Sequence, residues 1–175
     1  MGYYLRHHKA ETKAPDEILL SLPEYQELLS PRFTPLSAEL ADWAQSSFKS
    51  NSHYPEQLLH KTLSGHTVRS KSESLIDTLL FLKKIPFRYE SALALGDVIF
   101  YPDFTIRHPE TGAYYYWEHF GLMDDPAYAK NAAGKLQLYF SNGIIPTINL
   151  ITTYETKEHP FNSEIVEKVI AHYFE

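Results

Sequence analysis

The hydrophobic and polar positions along the chain separate an irregular first third from a regular remainder. In residues 1–65 the apolar runs are short, and prolines interrupt them repeatedly. These prolines are Pro15, Pro23, Pro31, Pro35 and Pro55. Thr34 and Pro35 are residue types that begin helices, so we predict one helix from there to Phe48 and a shorter one within residues 16–29. We expect this region to be a helical arm or packing layer without site chemistry.

From residue 66 onward the apolar positions follow regular helical and strand spacings. Leu75, Ile76, Leu79 and Leu80 recur at helical spacing, whereas later segments rich in aromatic and β-branched residues are typical of strands. The predicted elements are a helix at 68–83, strands at 87–95, 98–106 and 113–120, a helix at 125–142, a strand at 144–153 and a final helix capped by Ser163. This order predicts one α/β core over residues 66–175, in which helices flank a mixed central sheet.

The composition predicts one globular domain outside the membrane. The chain has 175 residues, of which 43% are hydrophobic, so it can bury one core but scarcely two. It contains no cysteine, which excludes disulfides, thiolate zinc sites and thiol nucleophiles. No apolar run approaches the roughly 18 residues of a membrane span, and the first residues lack the apolar centre of a secretion signal. We therefore expect a cytoplasmic protein that does not bind membranes.

Two acidic residues face each other in the predicted hairpin between strands 98–106 and 113–120. Residues 108–112 have the composition of a turn, and a turn centred between Glu110 and Thr111 sets Asp103 opposite Glu118. Opposed side chains lie on one sheet face with Cβ atoms about 5 Å apart, where two like charges are destabilising. A divalent cation between them would turn the repulsion into binding. Each acid alone is more often a strand-end or ion-paired carboxylate, but both together among apolar neighbours favour a site.

A third acid, Glu73, belongs to the inward-facing stripe of the predicted helix 68–83. It shares that stripe with Ile76 and Leu80, whereas a solvated glutamate normally lies on the opposite face. A buried salt bridge to Arg69 or Arg88 and a role in the acidic site are about equally compatible with this position.

These residues resemble the core of the PD-(D/E)xK nuclease superfamily. In that family a helix carries a Glu, a strand ends in Pro-Asp, the next strand carries Glu-x-Lys, and a helix and a strand follow. The matching residues here are Glu73, Pro102, Asp103 and Glu118, and the resemblance covers about residues 66–155. The segments YPDFTI and WEHFG also resemble uncharacterised bacterial proteins and nuclease-like domains associated with helicases. Each motif is short, so their order and context carry the resemblance, which implies a restriction-endonuclease-like core.

The sequence departs from the family pattern at the motif lysine, because Phe120 occupies that position. Some members of the superfamily supply this ammonium from the following helix. In the predicted helix 125–142, Lys135 shares one stripe with Tyr128, Ala132 and Tyr139, and it can point inward past the small Ala132. The alternative for Lys135 is a surface lysine whose stem lies along apolar neighbours.

The resemblance implies a divalent-metal-dependent nuclease that hydrolyses phosphodiester bonds in nucleic acid, with DNA as the favoured substrate. Asp103 and Glu118 would bind Mg²⁺ or Mn²⁺, the backbone carbonyl of His119 would complete the metal shell, and Glu73 would act through water. Lys135 would orient or deprotonate the attacking water, or stabilise developing charge. The His119 side chain should project to the face opposite Glu118, so we predict a packed or hydrogen-bonded histidine and no zinc site.

Two other functions remain compatible with the sequence. A nuclease-fold module that has lost catalysis with the motif lysine would serve as a scaffold or nucleic-acid-binding domain. A glycosidase would also use paired carboxylates, but here the acids cluster with a candidate lysine in a small core. The net charge of −6 weakens the case for tight electrostatic binding of nucleic acid, although acidic metal ligands add negative charge until cations bind. The sequence leaves a homo-oligomer open.

Overall fold

The structure is a computed structural model that describes residues 36–96 and 98–175. It has a mixed α/β architecture, in which helices flank a mixed four-stranded sheet. The described α-helices are α1 (Leu36–Gln45), α2 (Lys71–Leu82), α3 (Pro126–Ser141) and α4 (Ser163–Phe174), with a short 3-10 helix at Pro55–Gln57. The helix predicted within residues 16–29, and the predicted helix start at Thr34 and Pro35, lie outside the described residues.

The described strands form one central sheet and two small hairpins. They are β1 (His60–Lys61), β2 (Thr67–Val68), β3 (Phe87–Tyr89), β4 (Leu93–Leu95), β5 (Val98–Phe100), β6 (Phe104–Arg107), β7 (Tyr114–Phe120) and β8 (Leu150–Tyr154). The central sheet has the order β3, β6, β7, β8; β7 and β8 are parallel, and the other neighbours are antiparallel. The predicted domain boundary at residue 65 falls inside the β1–β2 hairpin, and the division into arm and core stays a prediction.

Polar side chains cap the first turns of α2, α3 and α4. Ser70 Oγ accepts a hydrogen bond from the Glu73 backbone N–H at the start of α2, and Asp125 accepts two from the first turn of α3. Asn162 caps α4 in the same way, so the predicted cap at Ser163 is wrong by one residue. Ser163 is instead the first helical residue, because Asn162 Oδ1 accepts a hydrogen bond from the Ile165 N–H at 3.1 Å.

Two apolar clusters lie on opposite faces of the central sheet. One joins α2 and α4 to the face that carries Trp117 and Ile151, and the other joins α3 and the β4–β5 hairpin to the face that carries Leu150. Side chains alternate along a strand, so Glu118 lies on the α3 face and His119 on the opposite face. The fold therefore sets Glu118 beneath α3.

Two predicted strands, 87–95 and 98–106, are each broken into two shorter strands. Glu90 interrupts the first of them, since it takes a left-handed conformation (φ 44) that ends β3. Its carboxylate pairs with the Arg69 guanidinium, with Nε and Oε1 2.7 Å apart, and this contact holds the turn. The chain therefore leaves the central sheet to form the β4–β5 hairpin and returns to it at β6.

Three further boundaries differ from the sequence prediction. The helix predicted to reach Phe48 ends at Gln45. The helix predicted to begin at residue 68 begins at Lys71, because Val68 belongs to β2. The strand predicted at 144–153 begins only at Leu150. Its predicted first residues form a turn instead, in which the Asn149 side chain accepts a hydrogen bond from the Ile145 N–H (2.6 Å). This side chain satisfies a donor that a strand partner would otherwise have to satisfy.

Candidate active site between the central hairpin and helix α3

The β6–β7 hairpin brings Asp103 beside Glu118. Phe104 pairs with Trp117, so Asp103, which directly precedes β6, stands opposite Glu118. Gly112 takes a left-handed conformation (φ 67) in the turn, which glycine adopts without strain. The register predicted from the turn composition is confirmed.

The Asp103 carboxylate is held by the backbone of β7. Its Oδ2 accepts a hydrogen bond from the His119 N–H at 2.7 Å, while the Asp103 carbonyl accepts one from the Glu90 N–H at 3.0 Å. The N–H and C=O of one strand residue point to the same edge, so the His119 carbonyl also lies on the Asp103 side of β7. Among the described residues, Oδ1 of Asp103 has no hydrogen-bond partner. This oxygen is available to a ligand.

The Glu118 carboxylate is almost fully buried and is bonded by two residues of α3. Its side chain is 2% exposed; Oε2 accepts a hydrogen bond from Lys135 Nζ at 2.7 Å, and Oε1 accepts one from Tyr139 Oη at 2.6 Å. Lys135 and Tyr139 are four residues apart and share one face of the helix. The prediction that the Lys135 ammonium points toward the acidic pair is confirmed, whereas Lys130 lies exposed on the same helix.

A cavity of about 230 Å³ opens beside the acidic pair. The sheet contributes Asp103, Glu118 and Phe120 to its wall, and Lys135 and Tyr128 contribute from α3. A larger cavity of about 580 Å³ lies between α1 and the C-terminal end of α2, but none of these acids lines it and its wall is mostly apolar. We take the smaller cavity as the candidate site because two carboxylates and an ammonium converge there.

Burial and the close approach of the two acids shift their protonation. Burial raises the pKa of Asp103 well above its usual range, and the Glu118 carboxylate raises it further. Burial also raises the pKa of Glu118, although Lys135 and Tyr139 oppose this shift. Burial alone would lower the pKa of Lys135, but Glu118 and Asp103 more than offset it and raise that pKa. The site therefore holds two carboxyl groups and one ammonium, and a further positive charge would stabilise both carboxylates.

Glu73 contacts the start of α2 rather than the cavity. Its carboxylate accepts hydrogen bonds from Ser70 Oγ (2.9 Å), Tyr89 Oη (2.6 Å) and the Arg69 backbone N–H (3.1 Å). These bonds complete the cap of α2, and Glu73 does not line the cavity. Its charge nevertheless contributes to the raised pKa of Glu118. A role for Glu73 through water stays a prediction.

The His119 side chain is packed on the opposite face of the sheet, as predicted. Trp117 Nε1–H can only donate, so Thr153 Oγ1 accepts this bond (2.9 Å) and directs its own hydrogen to His119 Nδ1, 3.0 Å away. The neutral imidazole then carries its hydrogen on Nε2, which lies 3.5 Å from Glu155 Oε1. Burial lowers the pKa of His119, which favours this neutral form. The Phe161 ring packs against the imidazole, with the two ring centroids 4.4 Å apart.

Several of these contacts were missed in the sequence. The sequence did indicate that Tyr139 faces the site, because Tyr139 lies on the same helical stripe as Lys135. We did not predict that its hydroxyl donates a hydrogen bond to Glu118. Thr153 and Glu155 had no signal as partners of His119, since they come from β8 and the segment after it, 34 residues or more along the chain.

Comparison with known proteins finds no family model, no curated sequence and no solved structure that matches this chain. Within residues 36–96 and 98–175, no group of three or more His, Cys, Asp or Glu side chains is arranged to hold a metal ion. No helix in those ranges is long and apolar enough to cross a membrane. A metal ion at the site would therefore depend on two carboxylates together with backbone and water oxygens.

Proposed function

We propose that this protein is a divalent-metal-dependent phosphodiesterase of the PD-(D/E)xK nuclease type that acts on nucleic acid, with DNA as the first substrate to test. The observation that carries the proposal is the convergence of Asp103, Glu118 and the Lys135 ammonium on one cavity. Phosphodiester hydrolysis requires positive charge at the phosphate, an oriented water molecule and relief of charge on the leaving oxygen. Two carboxylates and an ammonium are side chains suited to these needs.

The order of elements supports a restriction-endonuclease-like core. α2 carries Glu73, β6 follows Pro102 and Asp103, and β7 carries Glu118; α3 and β8 come next. This is the succession of helix, strands, helix and strand that the sequence motifs imply. Lys135 would replace the motif lysine, since its Nζ reaches Glu118 from α3.

The available oxygen atoms suit Mg²⁺ or Mn²⁺. These hard cations prefer carboxylate, carbonyl and water oxygens. Asp103 Oδ1, the Glu118 carboxylate and the His119 carbonyl would hold the ion, and the raised pKa values of both acids mean that added positive charge is favourable there. When bound, the cation would supply positive charge at the scissile phosphate and make a water molecule more nucleophilic.

Lys135 is better suited to stabilise negative charge than to act as a general base. Its pKa is raised because Glu118 and Asp103 more than offset the effect of burial, so the amine stays protonated at neutral pH. A protonated ammonium donates hydrogen bonds but cannot accept a proton. We therefore assign Lys135 the tasks of orienting water and stabilising the charge that develops on the phosphate.

A cleavage assay with the purified full chain tests this function. Single- and double-stranded DNA and RNA are incubated with Mg²⁺, with Mn²⁺ or with a chelator. We expect cleavage that requires the metal and that Asp103→Asn abolishes. Glu110→Gln is the control, since this acid is exposed in the β6–β7 turn and should not matter. Cleavage that persists with the chelator or in Asp103→Asn would contradict the proposal.

A second candidate is a catalytically silent module that binds nucleic acid. One observation favours it, because both oxygens of Glu118 already accept hydrogen bonds from Lys135 and Tyr139. Such a carboxylate can fasten α3 to the sheet without any reaction. Gel-shift binding of nucleic acid without cleavage under any metal condition would support this second function.

A further inference from the structure

Tyr128, near the start of α3, presents its phenol to the same cavity as the acidic pair. It lines the cavity with Asp103, Glu118 and Lys135. Its backbone N–H is already bonded to Asp125 Oδ1 at 3.1 Å. The polar group that Tyr128 can offer to a ligand is therefore its hydroxyl.

The Tyr128 hydroxyl retains a hydrogen to donate. A phenol oxygen can accept one hydrogen bond and donate another. Tyr128 Oη accepts a bond from the Gly121 N–H at 3.3 Å, and in the described part of the chain no acceptor has hydrogen-bond geometry for the hydrogen of this hydroxyl. Burial raises the pKa of Tyr128, and the Asp103 charge adds to this shift, so the phenol keeps its hydrogen at neutral pH.

Tyr139 shows the contrasting arrangement on the same stripe of α3. It is fully buried, and its hydroxyl donates to Glu118 Oε1 at 2.6 Å. Its hydrogen is thus committed to a protein carboxylate. Of these two tyrosines, Tyr128 is the one that can serve a ligand in the cavity.

The charges around the cavity restrict the class of ligand. Asp103 and Glu118 would repel an anion that arrived alone, but a divalent cation bound to them would reverse the local charge. Lys135 and the Tyr128 hydroxyl then form two donors on the α3 side of the cavity. An anion with several acceptor oxygens, bound together with the cation, fits this set of groups.

We propose that Tyr128 is a further substrate-binding residue, whose hydroxyl donates a hydrogen bond to a non-bridging oxygen of the scissile phosphodiester. This inference rests on the proposed function, because the phosphodiester supplies the acceptor. The Tyr128 hydroxyl would be a second hydrogen-bond donor to the phosphate, in addition to the Lys135 ammonium. Unlike Lys135, it carries no charge.

The test compares Tyr128→Phe with Tyr154→Phe. The control also removes one tyrosine hydroxyl, but Tyr154 is exposed, its hydroxyl bonds Thr152 Oγ1 at 3.0 Å, and it does not line the cavity. Calorimetric titration measures the binding of inorganic phosphate to the Mn²⁺-loaded chain. We expect Tyr128→Phe to weaken phosphate binding by roughly 10- to 100-fold, the range for one hydrogen bond to a charged group. Mn²⁺ affinity should stay unchanged, and thermal stability should fall only slightly, because the Gly121 N–H loses its 3.3 Å bond to this hydroxyl.

The same variants are then assayed for cleavage of DNA with Mn²⁺. If Tyr128→Phe loses phosphate affinity, Tyr154→Phe keeps it, and neither the variants nor the wild type cleave DNA, then phosphate binding by Tyr128 is supported but the nuclease function is contradicted. Equal cleavage by wild type and Tyr128→Phe would overturn the role of Tyr128 and leave the nuclease function standing. Equal phosphate affinity, or no phosphate binding by the Mn²⁺-loaded wild type, would also overturn the role of Tyr128.

Discussion

Replacement of Lys135 by methionine separates the structural from the chemical role of this residue. The substitution keeps an unbranched apolar stem but removes the ammonium that bonds Glu118 Oε2 at 2.7 Å. We expect it to lower cleavage by about 10²–10³-fold, as for the loss of one charge-stabilising donor. Mn²⁺ binding should persist, because the carboxylates remain.

The stability change can be bounded from the burial of the pair. Removal of one partner from a buried ion pair costs about 3–5 kcal/mol, because the other charge is left buried. Here Glu118 is 2% exposed, but Lys135 is 33% exposed and is partly screened by solvent. Glu118 also retains its bond from Tyr139. We therefore expect a loss of about 2 kcal/mol in the free energy of unfolding at about pH 8.

The size of this loss should depend on pH. Burial already raises the pKa of Glu118, and removal of Lys135 removes the main opposing influence. A carboxyl group with a raised pKa in the folded state stabilises the fold below its unfolded-state pKa, and this contribution is lost as pH rises through the folded-state pKa. The penalty of Lys135→Met relative to wild type should be small near about pH 4–5, where the acid is protonated, and largest at about pH 8.

Urea denaturation followed by tryptophan fluorescence measures this penalty, since Trp117 is fully buried. Lys130→Met is the matched control on the exposed face of α3 and should change neither stability nor cleavage. An unfolding free energy of Lys135→Met that equals the control at every pH would refute the ion-pair reasoning. Equal cleavage by Lys135→Met and wild type would refute the chemical role.

Three further changes probe other parts of the site. Asp103→Asn should make the metal-free chain more stable at neutral pH by up to about 1 kcal/mol in thermal melting, because it removes repulsion between carboxylates and keeps an acceptor; a lower melting temperature would contradict this. Thr153→Val should cost about 1–3 kcal/mol in urea denaturation, since the buried Trp117 N–H loses its acceptor; an unchanged midpoint would argue against that bond. Ser70→Ala should cost about 1 kcal/mol in the same measurement through loss of the α2 cap, and a neutral effect would assign the cap to other groups.

The acidic pair could be predicted from the sequence because it depends on local geometry. The turn composition of residues 108–112 fixes the register of β6 and β7, and that register sets Asp103 opposite Glu118. Helical spacing in α3 likewise indicates that Lys135 faces the sheet with Tyr139. The first inference needs only the register of one hairpin, and the second needs only the periodicity of one helix.

The features that could not be predicted depend on contacts between distant segments. Glu90 ends β3 while its carboxylate pairs with Arg69, 21 residues earlier in the chain. The position of the Glu73 carboxylate depends on Tyr89, which comes from β3 and completes the cap of α2. Neither pairing has a repeat or a spacing that marks it in the sequence, so the strand break and the location of Glu73 become visible only in the fold.

Binding of Mn²⁺ by the Asp103–Glu118 pair is the most direct test of the proposed site. Calorimetric titration of the metal-free chain compares the wild type with Asp103→Asn and with the exposed-acid control Glu110→Gln. We expect one saturable site in the wild type and the control, and an affinity lower by roughly tenfold or more in Asp103→Asn. Equal Mn²⁺ affinity in all three proteins, or no binding by the wild type, would contradict the metal site on which the nuclease function depends.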